Sequence, residues 1–178
     1  MNIDFIDLSN YKTAKLVEGV LLYPLKVNKD ASGVLVETLR RDWKEIYGSE
    51  RKFAMQYYSI TPPGLARDED LWHKHEKQED RFLVAKGEII VAVASDGILN
   101  LFRMKANENP YILLIPKTAL HGFMVTFSGE AILLNFPTQL YNPQDELRVP
   151  HKEAGVRFPN GELFAWERIR EEFKVNEY

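Results

Sequence analysis

Residues 88–104 constrain the fold more than any other stretch. Residues 88–94 run Glu-Ile-Ile-Val-Ala-Val-Ala, β-branched and apolar at successive positions. Strand side chains alternate between faces, so a strand of this kind needs cover on both sides. Ser95-Asp96-Gly97 follows, and Asp-Gly suits the positive φ of a tight hairpin turn. Residues 98–104 then return. Comparable short runs lie at 19–27, 34–37, 53–60, 111–115, 122–127 and 130–136. Turn residues such as Thr61-Pro62-Pro63-Gly64 and Ser128-Gly129 separate them. The runs on either side of Ser128-Gly129 read as a second hairpin. Strands at this spacing predict a sandwich or a barrel.

Two segments carry a different period. Leu39, Trp43, Ile46 and Tyr47 recur as in a short helix, stopped by Gly48. Leu163, Trp166, Ile169 and Phe173 do the same near the end, with Asn160 as N-cap candidate. A closing helix is expected at about residues 161–174. No repeat, low-complexity tract or linker interrupts the 178 residues, so one domain, 1–178, is expected.

Composition removes several function classes. The net charge of −3 is spread without blocks, so neither nucleic acid nor an anionic membrane surface is expected as a partner. There is no Cys, hence no disulfide, thiolate ligand or thiol nucleophile. No apolar run approaches the ~18 residues of a membrane span. Met1-Asn2-Ile3-Asp4 lacks a basic-then-apolar signal pattern. A cytoplasmic protein is expected.

The chemistry concentrates in residues 72–87. His73 and His75 are one residue apart and project to the same face of a strand. Glu79 and Asp80 follow, and Gly87 closes the run. A distant His121 completes the set. Such a group serves either proton transfer without a cofactor or metal binding. Under the metal reading, His73, His75, Glu79 and His121 are the ligands, and imidazoles with a carboxylate suit Zn, Fe, Mn or Ni. The plainer readings are a strand His pair with no ligand and a hydrogen-bonded core His121. Gln56, Tyr57 and Tyr58 alternate along a strand, so one face is placed either to line a cavity or to join the core. Arg81, Arg103 and Lys105 are candidate phosphate contacts or solvated strand positions. Trp72 either walls a pocket or packs outward beneath the closing helix.

The His-x-His, acid and Gly series resembles the first motif of the cupin superfamily, and Pro116 with His121 matches its second. Thr118 and Val125 stand where that motif has Gly and Asn. Residues 17–20 and 30–37 are similar to the opening of the dTDP-4-dehydrorhamnose 3,5-epimerase family. Residues 115–123 (Ile-Pro-Lys-Thr-Ala-Leu-His-Gly-Phe) resemble that family's Ile-Pro-x-Gly-x-x-His-Gly-Phe, and Tyr141 through Glu146 its Tyr-x-Pro-x-x-Glu. The likeness spans roughly residues 17–159. Residues 73–87 are also similar to the 3,4-ketoisomerases of dTDP-4-keto-6-deoxy sugars.

The resemblance implies an all-β fold: a cupin jelly-roll β-barrel with a short helix after the N-terminal strands, a C-terminal helix, and a homodimeric assembly. It implies a keto-sugar substrate, nucleotide-linked, and His73 as the base that removes a proton beside the carbonyl, with His75 assisting. Tyr141 matches a nucleobase-stacking Tyr. With Tyr141, Asn135, Gln56 and Arg81 are the expected substrate contacts. Several family positions differ. The acid Tyr falls on Asn135, a Lys on Asp80, and a phosphate-binding Arg on Ser32. The Arg-Gly-x-His segment becomes Asp70-Leu71-Trp72-His73, and the tail segment that supplies the base with its Asp is missing. These departures leave open a related sugar, a different substrate, a metal-dependent enzyme, or a sugar- or small-molecule-binding protein without catalysis.

Overall fold

Thirteen strands and three helices are formed by the described residues, 3–48 and 52–175, of the computed structural model. The termini of the expected 1–178 unit lie outside them. In chain order the first strands are β1 (Leu21–Pro24), β2 (Val27–Asp30) and β3 (Gly33–Val36), followed by helix α1 (Lys44–Tyr47). Then come β4 (Tyr57–Thr61), β5 (Ala66–Arg67), β6 (Leu71–His75), β7 (Asp80–Lys86), β8 (Glu88–Ser95) and β9 (Ile98–Lys105). The chain ends with β10 (Tyr111–Ile115), β11 (Leu120–Val125), β12 (Ala131–Asn135), β13 (Glu146–Pro150), α2 (His151–Ala154) and α3 (Trp166–Val175).

The strands build two antiparallel sheets. One has the order β1-β10-β7-β12-β4, the other β13-β6-β11-β8-β9, with β5 also on β11; β2 and β3 form a separate hairpin. Alternation along the strands sorts side chains into three apolar layers. Ile89, Val91 and Val93 of β8 face Phe82, Val84, Leu113 and Ile115 of the other sheet. Ile90, Ala92 and Ala94 turn the opposite way, onto Trp166 and Ile169 of α3 and Phe164 just before it. Leu83, Ile112 and Leu114 leave the other sheet on its far side and meet Ile46 of α1 and Phe136. The run at 88–94 is thus covered on both faces, as its composition requires. A ten-residue helix is marginal alone in water, so α3 is held by this packing. Each fully buried large side chain contributes about 1.5–3 kcal/mol.

The structure overturns the closed all-β jelly-roll barrel. The sheets are open and uncurled: β1 and β4 are the outer strands of one, β13 and β9 of the other, β9 carries on its outer edge an isolated bridge from Ile6 to Phe102, and no pairing among the described residues joins the edges of the two sheets. With three helices the chain is mixed α/β. Periodicity reports which residues are strands and which face is apolar; closure depends on edge pairing, which the pattern does not encode.

The turn at 96–97 forms as expected. Asp96 (φ 49°) and Gly97 (φ 74°) both take positive φ, and Ser95 pairs with Ile98, the geometry of a two-residue primed turn. The second hairpin does not form. β11 pairs with β8 and β12 with β7 and β4, so Ser128-Gly129 carries the chain from one sheet to the other. Turn residues mark a reversal without choosing the next partner. The closing helix begins at Trp166, and Asn160 accepts a bond from the Glu162 N–H inside the preceding turn. Among the described residues no helix is long and apolar enough to cross a membrane.

Candidate functional site

β6 presents two faces of opposite character. Trp72 is fully buried beneath the α3 side, its ring 4.4 Å from that of Phe164 and 5.0 Å from that of His151. It packs outward and is no part of the cavity wall. His73 and His75 project to the other face, into a cavity of about 460 Å³ between the two sheets. His121 joins them from β11, where it pairs directly with His73. Its ring centroid lies 6.2 Å from that of His73 and 5.6 Å from that of His75.

The first polar group surrounds His73. Its Nε2 lies 2.6 Å from Asp68 Oδ2 and its Nδ1 3.5 Å from Glu146 Oε1. With Nε2–H donating to Asp68, Nδ1 carries the lone pair. Burial pulls the imidazole below its ordinary value, and Asp68 only partly opposes it. Asp68 holds its place with φ 57°, a left-handed conformation that Asp tolerates better than most residues. Such backbone outliers gather at functional sites.

The second group is built on Asp80. This carboxylate is 2 % exposed. Oδ1 accepts from Gln78 Nε2 (2.8 Å) and Asn135 Nδ2 (2.7 Å). Oδ2 lies 3.2 Å from His121 Nε2 and 3.5 Å from His75 Nε2. Burial alone raises such a carboxyl; the His121 hydrogen bond, the two imidazoles and the Asn135 amide outweigh it, and the net shift is downward. His121 Nδ1 donates to Ala119 O at 3.1 Å. Both nitrogens of His121 thus face oxygens, and a proton or a cation between Nε2 and Asp80 satisfies the pair. His75 is aimed by Asp145, whose carbonyl takes its Nδ1–H at 3.1 Å. The Asp145 carboxylate accepts backbone N–H groups of Glu76, Lys77 and Gln78, which pins the turn from β6 to β7.

The structure distributes the expected residues unevenly. His73, His75 and His121 converge. Asp80 lines the cavity, and Glu79 is absent from the lining. The possible metal group is therefore His75, Asp80 and His121, with one ligand atom from each, all within 4.8 Å of one another. Asn135 is fully buried beside Asp80. Tyr141 lines the cavity beside Glu146 and is largely exposed. Gln56 is exposed and outside the lining. Arg81 turns away from the cavity. Its Nε donates to Phe136 O (2.5 Å) and Nη1 to Ile46 O (3.0 Å), and its guanidinium lies 4.4 Å over the Tyr47 ring. Arg103 pairs with Glu88 and Lys105 with Glu108, also outside it.

Four charged lining residues were not expected at the site from the sequence: Arg67, Asp68, Glu146 and Arg148. The charged run ahead of the His pair was the signal for the first two. The i, i+2 spacing of Glu146 and Arg148 on a strand was the signal for the others. Arg148 Nη2 sits 2.8 Å from Glu146 Oε1. The Arg148 contact and burial act oppositely on the Glu146 carboxyl, which ends below its usual range.

Comparison with known proteins places the chain in a family. A family model described as dTDP-4-dehydrorhamnose 3,5-epimerase matches residues 14–165. The chain belongs to that family. A relative in Haloferax volcanii, named "Probable low-salt glycan biosynthesis epimerase Agl13", is 37% identical over 145 residues, 76% of this chain and 88% of that protein. The spore coat polysaccharide biosynthesis protein SpsL of Bacillus subtilis is 28% identical over 152 residues, 80% of this chain and 95% of that protein. Among solved structures, a dTDP sugar isomerase from Desulfovibrio desulfuricans G20 superposes with a TM-score of 0.72 at 22% identity, covering 86% of this chain and 99% of that one. A dTDP-4-dehydrorhamnose 3,5-epimerase from Sulfolobus tokodaii gives 0.66 at 23%, covering 82% and 84%. These two likenesses carry the fold alone. In this chain the acid that meets His73 is Asp68, from the loop between β5 and β6.

Proposed function

We propose that this family member epimerises or isomerises a nucleotide-linked keto-sugar by proton transfer next to the carbonyl, with His73 as base and His75 assisting. The observation that carries the reading is the 2.6 Å contact between His73 Nε2 and Asp68 Oδ2 on the wall of the cavity between the sheets. Abstraction beside a carbonyl needs a base that is neutral near pH 7 and held in one orientation. Burial keeps His73 neutral, and Asp68 fixes which nitrogen is free. Arg67 and Arg148 in the lining suit a phosphorylated ligand, and the outward ring of Tyr141 suits a base. The protein acts on this small molecule as a cytoplasmic, single-domain homodimer in the same proposal. Incubation with dTDP-4-keto-6-deoxyglucose in D₂O is the test. Deuterium at C3 or C5 is expected, and folded protein that leaves both carbons protonated rejects the reading.

A second reading is favoured by the His75, Asp80 and His121 cluster: a divalent transition metal held by two imidazoles and a carboxylate. Bound there, the metal supplies Lewis-acid stabilisation of a developing enolate. Metal analysis of purified protein separates the readings. Near-stoichiometric metal supports this one, and full activity after chelation removes it.

A further inference from the structure

We infer that Tyr57 is the proton donor of this site, aimed by Asn135 and working opposite His73; the assignment rests on the keto-sugar reading above. β4 and β12 pair so that Tyr57 and Asn135 stand directly across from each other. The Asn135 amide is oriented by its surroundings. Its Oδ1 accepts the backbone N–H of Arg81 at 3.0 Å, so its NH₂ end points the other way. From there Nδ2 donates to Asp80 Oδ1 at 2.7 Å and to Tyr57 Oη at 2.8 Å. The phenol oxygen is therefore the acceptor in its bond with Asn135, and its own hydrogen is not consumed by that bond.

Tyr57 lines the cavity. The residue as a whole is 45% exposed, and its hydroxyl reaches buried Asn135. Burial, and then the Asp80 carboxylate, push the hydroxyl up to about 12, so the proton is in place at neutral pH. Tyr57 belongs to the sheet that carries Asp80 and Asn135, and His73 to the facing sheet. A carbon acid held between the sheets meets a base on one side and a phenol on the other.

The step balances within these groups. The C–H bond beside the carbonyl breaks and its proton goes to His73 Nδ1, while the electron pair moves into the enolate. The Tyr57 O–H bond then breaks, and the enolate pair forms a new C–H bond on the opposite face as the carbonyl returns. An imidazolium and a phenolate remain. The Asn135 N–H stabilises the phenolate, and exchange with solvent resets both groups. Inversion needs both walls, whereas exchange of the abstracted proton needs only His73.

That difference supplies the test. Tyr57→Phe keeps the ring at a half-exposed position and removes only the hydroxyl. With dTDP-4-keto-6-deoxyglucose in D₂O, wild type should give exchange and inverted product. Tyr57→Phe should keep the exchange and lose inversion by about 10²–10⁴-fold, the usual span for a general acid. Undiminished inversion by Tyr57→Phe overturns the assignment while the keto-sugar reading stands. Absence of exchange in wild type sinks that reading and this assignment with it. Asn135→Ala, checked for folding by its thermal melt, should move the alkaline limb of the pH–rate profile upward, because the phenolate loses its donor. An unmoved limb removes Asn135 as the positioning residue.

Discussion

Asp68–His73 and Asp80–His121 pair the same two side chains in opposite settings. Asp68 sits on a partly open strand junction in left-handed backbone, and its one close imidazole lies at 2.6 Å. Asp80 is closed off from solvent and holds two amides and two imidazoles at once. The open pair can gain and lose a proton with little reorganisation. The closed pair cannot, since neutralising Asp80 leaves several donors without their acceptor. The difference teaches that the number of bonds on the acid, more than the imidazole itself, separates a reactive pair from a fixed one. Under the proposed function, it puts the chemistry at His73 and the preorganised charge at Asp80.

The largest expected effect lies at the open pair. His73→Asn should lower the exchange rate by about 10²–10⁴-fold and leave the urea midpoint nearly unchanged. Exchange within tenfold of wild type, measured by mass spectrometry, breaks the comparison. At the closed pair the loss should appear in stability. Asp80→Ala strands the His121, Gln78 and Asn135 donors, and removing one partner of a buried pair costs about 3–5 kcal/mol. Asp68→Ala acts on a partly exposed pair and should cost about 1 kcal/mol or less. Equal urea midpoints for the two Ala variants remove the distinction.

Much of this site was readable from residues 72–87, because a period of two is a property of any strand. It put His73 and His75 on one face with an acid within reach, and left Trp72 open between a pocket wall and outward packing. What it also left undecided was register. Glu79 and Asp80 are neighbours that point to opposite sides, and only the pairing of β7 with β10 and β12 selects Asp80 for the cavity. Arg81 then faces α1, away from any ligand. Asp68 was harder still. β5 and β6 both pair with β11, at Phe123 and His121, and the loop between them throws Asp68 back onto His73. The fold shows the same limit. Local pattern marked the strands and the Asp96-Gly97 turn, while sheet membership and open edges are long-range choices.

Acid sharpens the comparison further. Burial holds His73 and His151 below their ordinary values in the folded protein. Below the unfolded value of about 6.5, the unfolded chain therefore binds more protons than the folded one. Stability should be full above that pH and fall as pH drops from there toward the folded values. His151 lies in an aromatic box, and its Nε2 is buried without a partner. His151→Phe should flatten part of this acid limb in thermal melts at pH 5 and pH 7 and leave the exchange rate untouched. His73→Asn should flatten another part and slow the exchange as stated above. If His151→Phe instead slows exchange, the outer face of β6 is coupled to the cavity face.

The smallest effect is expected at the turn that sets the height of His121. Thr118 takes φ 69°, although a β-branched residue is an outlier there. Its N–H donates to His75 O at 2.6 Å, and Ala119 next to it supplies the oxygen for His121 Nδ1. The turn thus ties the His75 backbone and the His121 ring to one strained residue. Strain of this kind costs about 1–3 kcal/mol, and Gly removes it but makes the unfolded chain more flexible by about 0.4–1 kcal/mol. Thr118→Gly should therefore stabilise the protein by about 1 kcal/mol, read as a higher urea midpoint with unchanged slope. The open pair does not touch this turn, so His73-dependent exchange should hold. A stabilised variant whose exchange also falls would show that strain at residue 118 is transmitted through His75 to the reacting carbon, and the separation between the two pairs would fail.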